Sequence, residues 1–459
     1  MCPLRRHLGM TFAMQSATAP DNTKKPAEWG YFMQRRLMRG AAGLLALALT
    51  SHSAMAQAQA INAADTAWIL VAACLVLMMT VPGLALFYAG LVRKKNVLST
   101  MMQSFAATCL VALLWIFVGY SFAFSGQGAF LGDANRLFLN GLAADSLTGT
   151  IPESLFMVFQ MTFAIITPAL ICGAFADRMK FSALLWFLSA WLLLVYVPVA
   201  HWVWGGGFLA QMGVRDFAGG LVVEINSGVA GLVAALMLGR RKGYPQEAMV
   251  PHNLVLSVTG ASLLWVGWLA FNGGSALAAN ATAAFALMNT QIAGAAGALA
   301  WMAVEWAKHG KPSVLGIISG AVAGMVAITP SCGFVAPMGA LAIGLLAGLA
   351  CFFASTSLKR RLGYDDSLDV FGVHGVGGYV GTIGIGLFAS AAWGGTSGVI
   401  EGNWHQLGLQ LLASAIVTVW CGAMTFGILY VIAKVQGLRV SREIEIEGLD
   451  VGLHGEVVP

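Results

Sequence analysis

RDFAGGLVVEINSGVAGLVAAL, residues 215–236, is an apolar run of membrane-spanning length with a glutamate, Glu224, set in its middle. No basic residue stands within a helical turn or two of it. An acid at the centre of a bilayer costs roughly 2.5 kcal/mol or more on insertion scales, so it persists only where it meets a partner or lines a polar path. Working outward, the surroundings must supply that partner. The chain has 459 residues, 58% hydrophobic and only 10% charged, with a mean hydropathy of +0.78. Soluble domains carry about 25% charged residues, so this is the composition of a polytopic helical membrane protein. Many of the 56 glycines fall inside apolar runs, where small residues let helices approach closely.

Stretches of about 20 apolar residues cross the hydrocarbon core as helices. Eleven are expected, near 66–91, 97–124, 154–176, 182–204, 217–239, 252–271, 281–307, 313–330, 334–357, 370–390 and 405–434. Alternate loops carry Arg93-Lys94-Lys95, Arg178 and Lys180, Arg240-Arg241-Lys242, Lys308 and Lys311, and Lys359-Arg360-Arg361. The opposite loops hold only Arg136 and Arg215. Positive charge stays inside, which puts the C-terminus in the cytoplasm and the mature N-terminus outside. The stretch 33–56 has a basic segment, a short apolar run and an Ala54-Met55-Ala56 cleavage site, the pattern of a secretory signal. Residues 1–32 then read as an extension upstream of the true start near Met33, residues 57–435 as the membrane domain, and residues 436–459 as a cytoplasmic tail. The net charge of +5 is dispersed among loops and does not indicate nucleic acid binding. Seven scattered cysteines show no metal-ligand or disulfide spacing and read as small core hydrophobes.

Glu224 aligns with His374 when EINSGVAG in the fifth span is set against HGVGGYVG in the tenth. Acidic residues, Asp216 and Asp369, precede the two. Spans 1–5 and 6–10 would then be inverted halves with the path between them, followed by a final helix. At about 1.5 Å per residue, Glu224 lies roughly 24 Å from Arg240 and His374 roughly 20 Å from Arg361, so the two can be level. Facing each other they would form a proton-sharing pair in a pore. The alternative is a hydrogen-bonded pair with a purely structural role.

The segments FQMTFAIITPALICGAFADRMKFSALL, PVAHWVWGGGFL, DFAGG, FNGGSALAAN, DVFGVHGVGGYVGT and EGLDVGLHGE resemble, in order and over nearly the whole mature chain, the ammonium transporter (Amt/Mep/Rh) family. The resemblance implies a homotrimer of eleven-helix subunits in the plasma (inner) membrane, each with its own pore conducting ammonium or ammonia inward. It implies a recruitment site at Phe159, Phe163, Trp204 and Ser275, and a gate of Phe163 and Phe271. Aromatic faces attract a small cation by about 0.5–2 kcal/mol each, and a hydroxyl accepts an N–H bond that K⁺ cannot donate. Asp216 matches an acidic position near the cation site and reads as a cap for the fifth span.

Where the family usually has two pore histidines, this chain has Glu224 and His374. A glutamate at the first position is similar to a minority variant found in some fungal members. The resemblance also implies a tail that docks on the cytoplasmic face, with PII-type proteins as possible partners there. The rival reading is an ammonium sensor signalling through that tail; only about 25 residues follow the last span, which favours transport. No nucleophile, base and metal set suggests an enzyme, and no cofactor is expected. His201 and Glu305, at span ends, read as structural.

Overall fold

The computed structural model describes residues 60–458. The expected signal sequence at 33–56 and the extension at 1–32 lie outside the described residues. Eleven apolar helices build the fold: α1 Ala63–Leu91, α2 Lys94–Phe124, α3 Glu153–Cys172, α4 Phe181–Gln211, α5 Gly220–Leu238, α6 Leu254–Gly274, α7 Ala281–His309, α8 Val314–Ile328, α9 Pro337–Leu362, α10 Phe371–Phe388 and α11 Trp404–Val435. Ten are long enough to span a bilayer; α8, with 15 residues, is shorter. It ends in the turn around Thr329–Gly333 because a buried proline, Pro330, follows it.

Side-chain caps begin many of these helices where the sequence offers Asn or Ser. Asn62 accepts from the Ala64 and Asp65 N–H groups, Asn253 from Leu256, Asn280 from Ala283, Ser313 from Gly316 and Asn403 from Gln406. Each satisfies a donor that the first helical turn leaves open. Glycine then sets the helix spacing. A Cβ on Gly297 of α7 would stand 2.5 Å from the Gly320 carbonyl oxygen of α8, and one on Gly348 of α9 would stand 2.5 Å from the Gly297 carbonyl. Helices that close pack backbone to backbone.

α5 and α10 are the two helices that carry the ionisable pair, and both open with a π-helical turn, at Gly220–Ile225 and Phe371–Gly375. Widened turns of this kind cluster at functional sites. The two helices cross where a Cβ on Gly228 would lie 2.2 Å from the Gly375 nitrogen, and one on Gly378 would lie 3.0 Å from Ile225. Shifting every residue by the 150 positions that separate Glu224 from His374 exchanges these two contacts.

The acidic partner of this arrangement differs from the expected one. Asp216 stands eight residues before Glu224, and it is Asp366, not Asp369, that stands eight before His374. Asp366 accepts from the Phe371 N–H at 2.8 Å, capping α10 as Asp216 caps α5. Asp369 instead forms an ion pair with Lys359 at 2.8 Å. Three residues closer to the helix, Asp369 has positive φ (59°) and turns toward the α9 end rather than along the α10 axis.

The basic loops converge on one face. Arg241 bridges Asp177 (3.3 Å) and Asp365 (2.7 Å), Arg93 also meets Asp177 (3.4 Å), and Arg178 donates to Ser367 Oγ and the Asp365 carbonyl. The tail lies across this face rather than in solvent. Leu438 and Val440 pair with the backbone of Lys180 and Arg178, and Arg439 grips buried Glu445 with two nitrogens. Glu445 also accepts from the Lys242 N–H, while Asp450 caps the start of α2 through Leu98 and Ser99.

Candidate functional site

Between the basic face and the opposite face, side chains from α3 to α6 and α10 stack in layers. On the face away from the basic loops, Phe159 and Phe163 project from the same side of α3 and meet edge to face with centroids 5.0 Å apart. Trp204, where α4 breaks at Gly205–Gly207, presents its ring edge-on to Phe163 at 5.8 Å. Trp204 is held there by its indole N–H, which donates to the Asp216 carbonyl at 2.9 Å. A hollow of about 590 Å³ lies against Trp204 and Gly205, with Tyr120, Phe124 and Glu153 around it.

Beneath this cluster Phe163 stacks on Phe271 of α6, with centroids 4.0 Å apart and planes at 27°. Both rings are about 1% exposed. Trp268 supports Phe271 from one side (6.1 Å), itself anchored by an indole bond to Thr329 Oγ1 at 2.7 Å. Ser275 follows one turn after Phe271 and donates its hydroxyl hydrogen to the Phe271 carbonyl at 2.8 Å. The lone pairs of Ser275 Oγ are thereby left as acceptors.

Deeper still, His374 Nδ1 lies 2.7 Å from Glu224 Oε2, and the two residues are 4% and 1% exposed. The pair comes from the two π turns of α5 and α10, whose crossing at Gly228 and Gly375 brings them within reach. His374 also lines a cavity of about 350 Å³ that extends toward the basic face past Tyr88, Ser355, Lys359 and Asp369. With an acidic acceptor on Nδ1, the neutral imidazole carries its proton there and keeps the Nε2 lone pair free.

Asp216 does not face the aromatic rings with its carboxylate. Its two oxygens accept four backbone N–H bonds, from Gly219, Gly220, Leu221 and Val222, at 2.7 to 3.3 Å. The expected recruitment residues Phe159, Phe163 and Trp204 and the gate residue Phe271 thus share one cluster, with Ser275 one turn along. Glu224 and His374 share the next layer, and Asp216 stands behind both as a cap. Glu305 accepts from the N–H and hydroxyl of Ser313, closing the α7–α8 turn. His201 is buried with both ring nitrogens at carbonyls, Ala123 O (2.9 Å) and Gly128 O (2.6 Å).

On the basic face, burial is the largest influence on the Asp365 carboxyl and pushes it up. The Arg241 hydrogen bonds and the Arg241 and Arg178 charges outweigh it and hold the group below its ordinary range. Among the described residues, no cluster of His, Cys, Asp and Glu has the geometry of a metal site.

Three residues near the site carried no signal in the sequence. Gln406 and Gln410 of α11 reach the loop that carries Asp216, and a glutamine in an apolar helix has no motif to mark it. Tyr88 of α1, which bonds the Leu170 carbonyl beside the lower cavity, is equally unmarked.

Residues 67–458 match the model of the Ammonium Transporter Family. The chain is 49% identical over 412 residues to the ammonium transporter of Aquifex aeolicus, covering 89% of this chain and 96% of that one. It is 48% identical over 396 residues to the ammonium transporter of Bacillus subtilis, covering 85% and 97%. Its fold is similar to the crystal structure of Candida albicans Mep2, with a TM-score of 0.79 at 37% identity over 83% of this chain and 87% of that one. A structure titled Sensor Amt Protein is also similar, with a TM-score of 0.80 at 30% identity over 85% and 98%. With an apolar helical bundle and these relatives, the chain belongs to the ammonium transporter family and is a multi-pass membrane protein that transports ammonium.

Proposed function

We propose that ammonium enters at the Phe159–Phe163–Trp204 cluster, passes the Phe163–Phe271 stack, and exchanges a proton at the Glu224–His374 pair before leaving through the cavity toward the basic face. The observation that carries this reading is the buried 2.7 Å Glu224–His374 hydrogen bond, whose histidine lines the cavity toward the basic face.

Each layer has a physical task. Three rings converge where a cation would sit, each worth about 0.5–2 kcal/mol toward it. Ser275 Oγ keeps lone pairs to accept an N–H, which K⁺ cannot offer. The stacked phenylalanines close a path too dry for a hydrated ion. Past the stack the ion, stripped of its water, gives a proton to the imidazole Nε2 and goes on as ammonia, and the reverse shift returns that proton as the ammonia leaves. Glu224 accepts the Nδ1 proton and completes a short relay.

The chain is inverted about this pair: α1–α5 and α6–α10 are the two halves, with the mature N-terminus outside and the tail in the cytoplasm. The exchangeable crossings at Gly228 and Gly378 and the paired caps of Asp216 and Asp366 support that arrangement. The recruitment cluster then faces outward. The assembly is a homotrimer in the plasma (inner) membrane, and the basic face with its docked tail is the surface that a PII-type regulator would meet. The sensor reading has support in the likeness to the Sensor Amt Protein structure, but the succession of aromatic cluster, stacked gate and buried acid–imidazole pair favours flux.

Uptake of labelled methylammonium into proteoliposomes tests the assignment. Trp204→Leu should raise the apparent KM roughly 2- to 30-fold, the range of one cation–π contact. His374→Ala should abolish uptake at unchanged protein level. Wild-type uptake by both variants would overturn the proposal.

A further inference from the structure

We infer that Gln410, on the final helix α11, is a positioning residue for ammonium recruitment: it holds the loop whose backbone fixes Trp204. The inference rests on the reading of Trp204 as part of the recruitment site.

Gln410 is fully buried. Its Oε1 accepts from the Arg215 N–H at 2.9 Å, and its Nε2 donates to the Arg215 carbonyl at 2.7 Å. A side-chain amide that satisfies both backbone groups of one residue acts as a one-residue strand partner. The pairing also settles which end of the amide is oxygen, because only an oxygen can face the Arg215 N–H. Gln406, one turn earlier, donates to the same Oε1 at 3.0 Å and to the Gly213 carbonyl at 3.4 Å. The amide pair therefore clamps the irregular segment 213–215, which is not helical; Gly213 and Val214 are also tied back to Ala210 and Leu209 through their N–H groups, but both backbone groups of Arg215 rest on Gln410.

Asp216 comes next in the chain, and everything it does depends on where Arg215 is held. Its carbonyl accepts the Trp204 indole N–H, and its carboxylate caps the first turn of α5. On the far side Phe217 N–H donates to the Pro330 carbonyl at 2.9 Å. Asp216 is thus suspended between two anchors, Gln410 before it and Pro330 after it. Pro330 anchors through its backbone, which any residue would supply. Gln410 anchors through a side chain that only an amide of this length provides.

Loss of the amide takes the partners from the Arg215 N–H and carbonyl, which are half-buried although the residue itself is exposed, so the loop shifts toward water or whatever polar group it can find. The indole ring tilts with it. The pair at Glu224 and His374 sits past the capped turn, and four N–H bonds to Asp216 insulate it. Recruitment should therefore suffer before the maximal rate does.

The experiment measures methylammonium uptake by the full chain in proteoliposomes for Gln410→Leu, Gln410→Glu, Trp204→Leu and the double variant Gln410→Leu/Trp204→Leu. The expected result is an apparent KM raised roughly fivefold in Gln410→Leu, the factor one net hydrogen bond is worth, with the maximal rate within about twofold of wild type. Gln410→Glu keeps the acceptor but sets a carboxylate against the Arg215 carbonyl, and it should raise KM similarly. In the double variant the Gln410 change should add nothing to the Trp204→Leu KM, because its effect passes through the indole. A normal KM in both Gln410 variants overturns the inference, as does full additivity in the double. A fall in maximal rate at unchanged KM also overturns it, showing a merely structural role. If Trp204→Leu alone leaves KM unchanged, the recruitment reading itself fails, and that result is distinct from a silent Gln410.

Discussion

Replacing Gly228 by alanine should stop transport by separating two helices, without removing a polar group. A Cβ at this position would lie 2.2 Å from the Gly375 nitrogen and 2.3 Å from its Cα. Ordinary van der Waals contact begins at 3.4 Å, so the shortfall is about 1 Å, and the obstructing atoms are backbone that no rotamer change can move. α5 and α10 must part by about that much, at a cost of roughly 1–3 kcal/mol for overpacking. The Glu224–His374 bond spans the same crossing at 2.7 Å. Stretched to about 3.7 Å, it is no longer a hydrogen bond. Gly408→Ala in α11 is the control, because a Cβ there meets nothing within 4 Å. Methylammonium uptake by proteoliposomes, normalised to reconstituted protein, should be lost in Gly228→Ala and unchanged in Gly408→Ala. Wild-type uptake by Gly228→Ala would refute the claim that this crossing holds the pair.

Other predictions concern the pair, the basic face and the tail. Glu224→His should change the transport rate, its pH profile or K⁺ discrimination, read as currents on proteoliposomes; no change in all three would show that the carboxylate is immaterial. The Asp365 carboxyl is held below its ordinary range by Arg241 and Arg178 against its burial, so its stabilising effect is complete above about pH 4 and is lost as pH falls through the lower folded value. Asp365→Asn should therefore destabilise the protein at neutral pH by about 3 kcal/mol for a broken buried pair, seen as a lower melting temperature, and flatten the acid limb of the stability curve. Asp450→Ala should destabilise the protein by about 0.5–2 kcal/mol, because it uncaps Leu98 and Ser99; thermal unfolding in detergent measures it, with Asp450→Asn expected to lose less.

Hydropathy made the helices legible because lipid imposes length and apolarity residue by residue, a purely local demand. The Glu224–His374 pairing was legible for a related reason: ionisable groups are so rare in such helices that two at corresponding positions stand out. Asp366 was not legible as the mate of Asp216. It sits in a run with three other acidic or hydroxyl residues, and the choice between it and Asp369 depends on a positive φ that composition does not reveal. Gln410 was hidden for the opposite reason. Its partner is backbone 195 residues away, and backbone leaves no trace in side-chain patterns. Docking of the tail was implied by the family resemblance and not by its charged composition; Glu445 and Asp450 are 1% and 2% exposed, because each carboxylate is matched to donors supplied by distant segments.

The 150 residues between Glu224 and His374 also impose an order on biosynthesis. At translation rates of about 5–20 residues per second, the acid leaves the ribosome roughly 8–30 s before its imidazole exists. For that interval α5 occupies the insertion machinery or the young bundle as a helix with an unmatched acid in its opening turns. Shielding it then is a task for the translocon or for neighbouring helices, and a chain cut short before α10 would leave that task permanently unfinished.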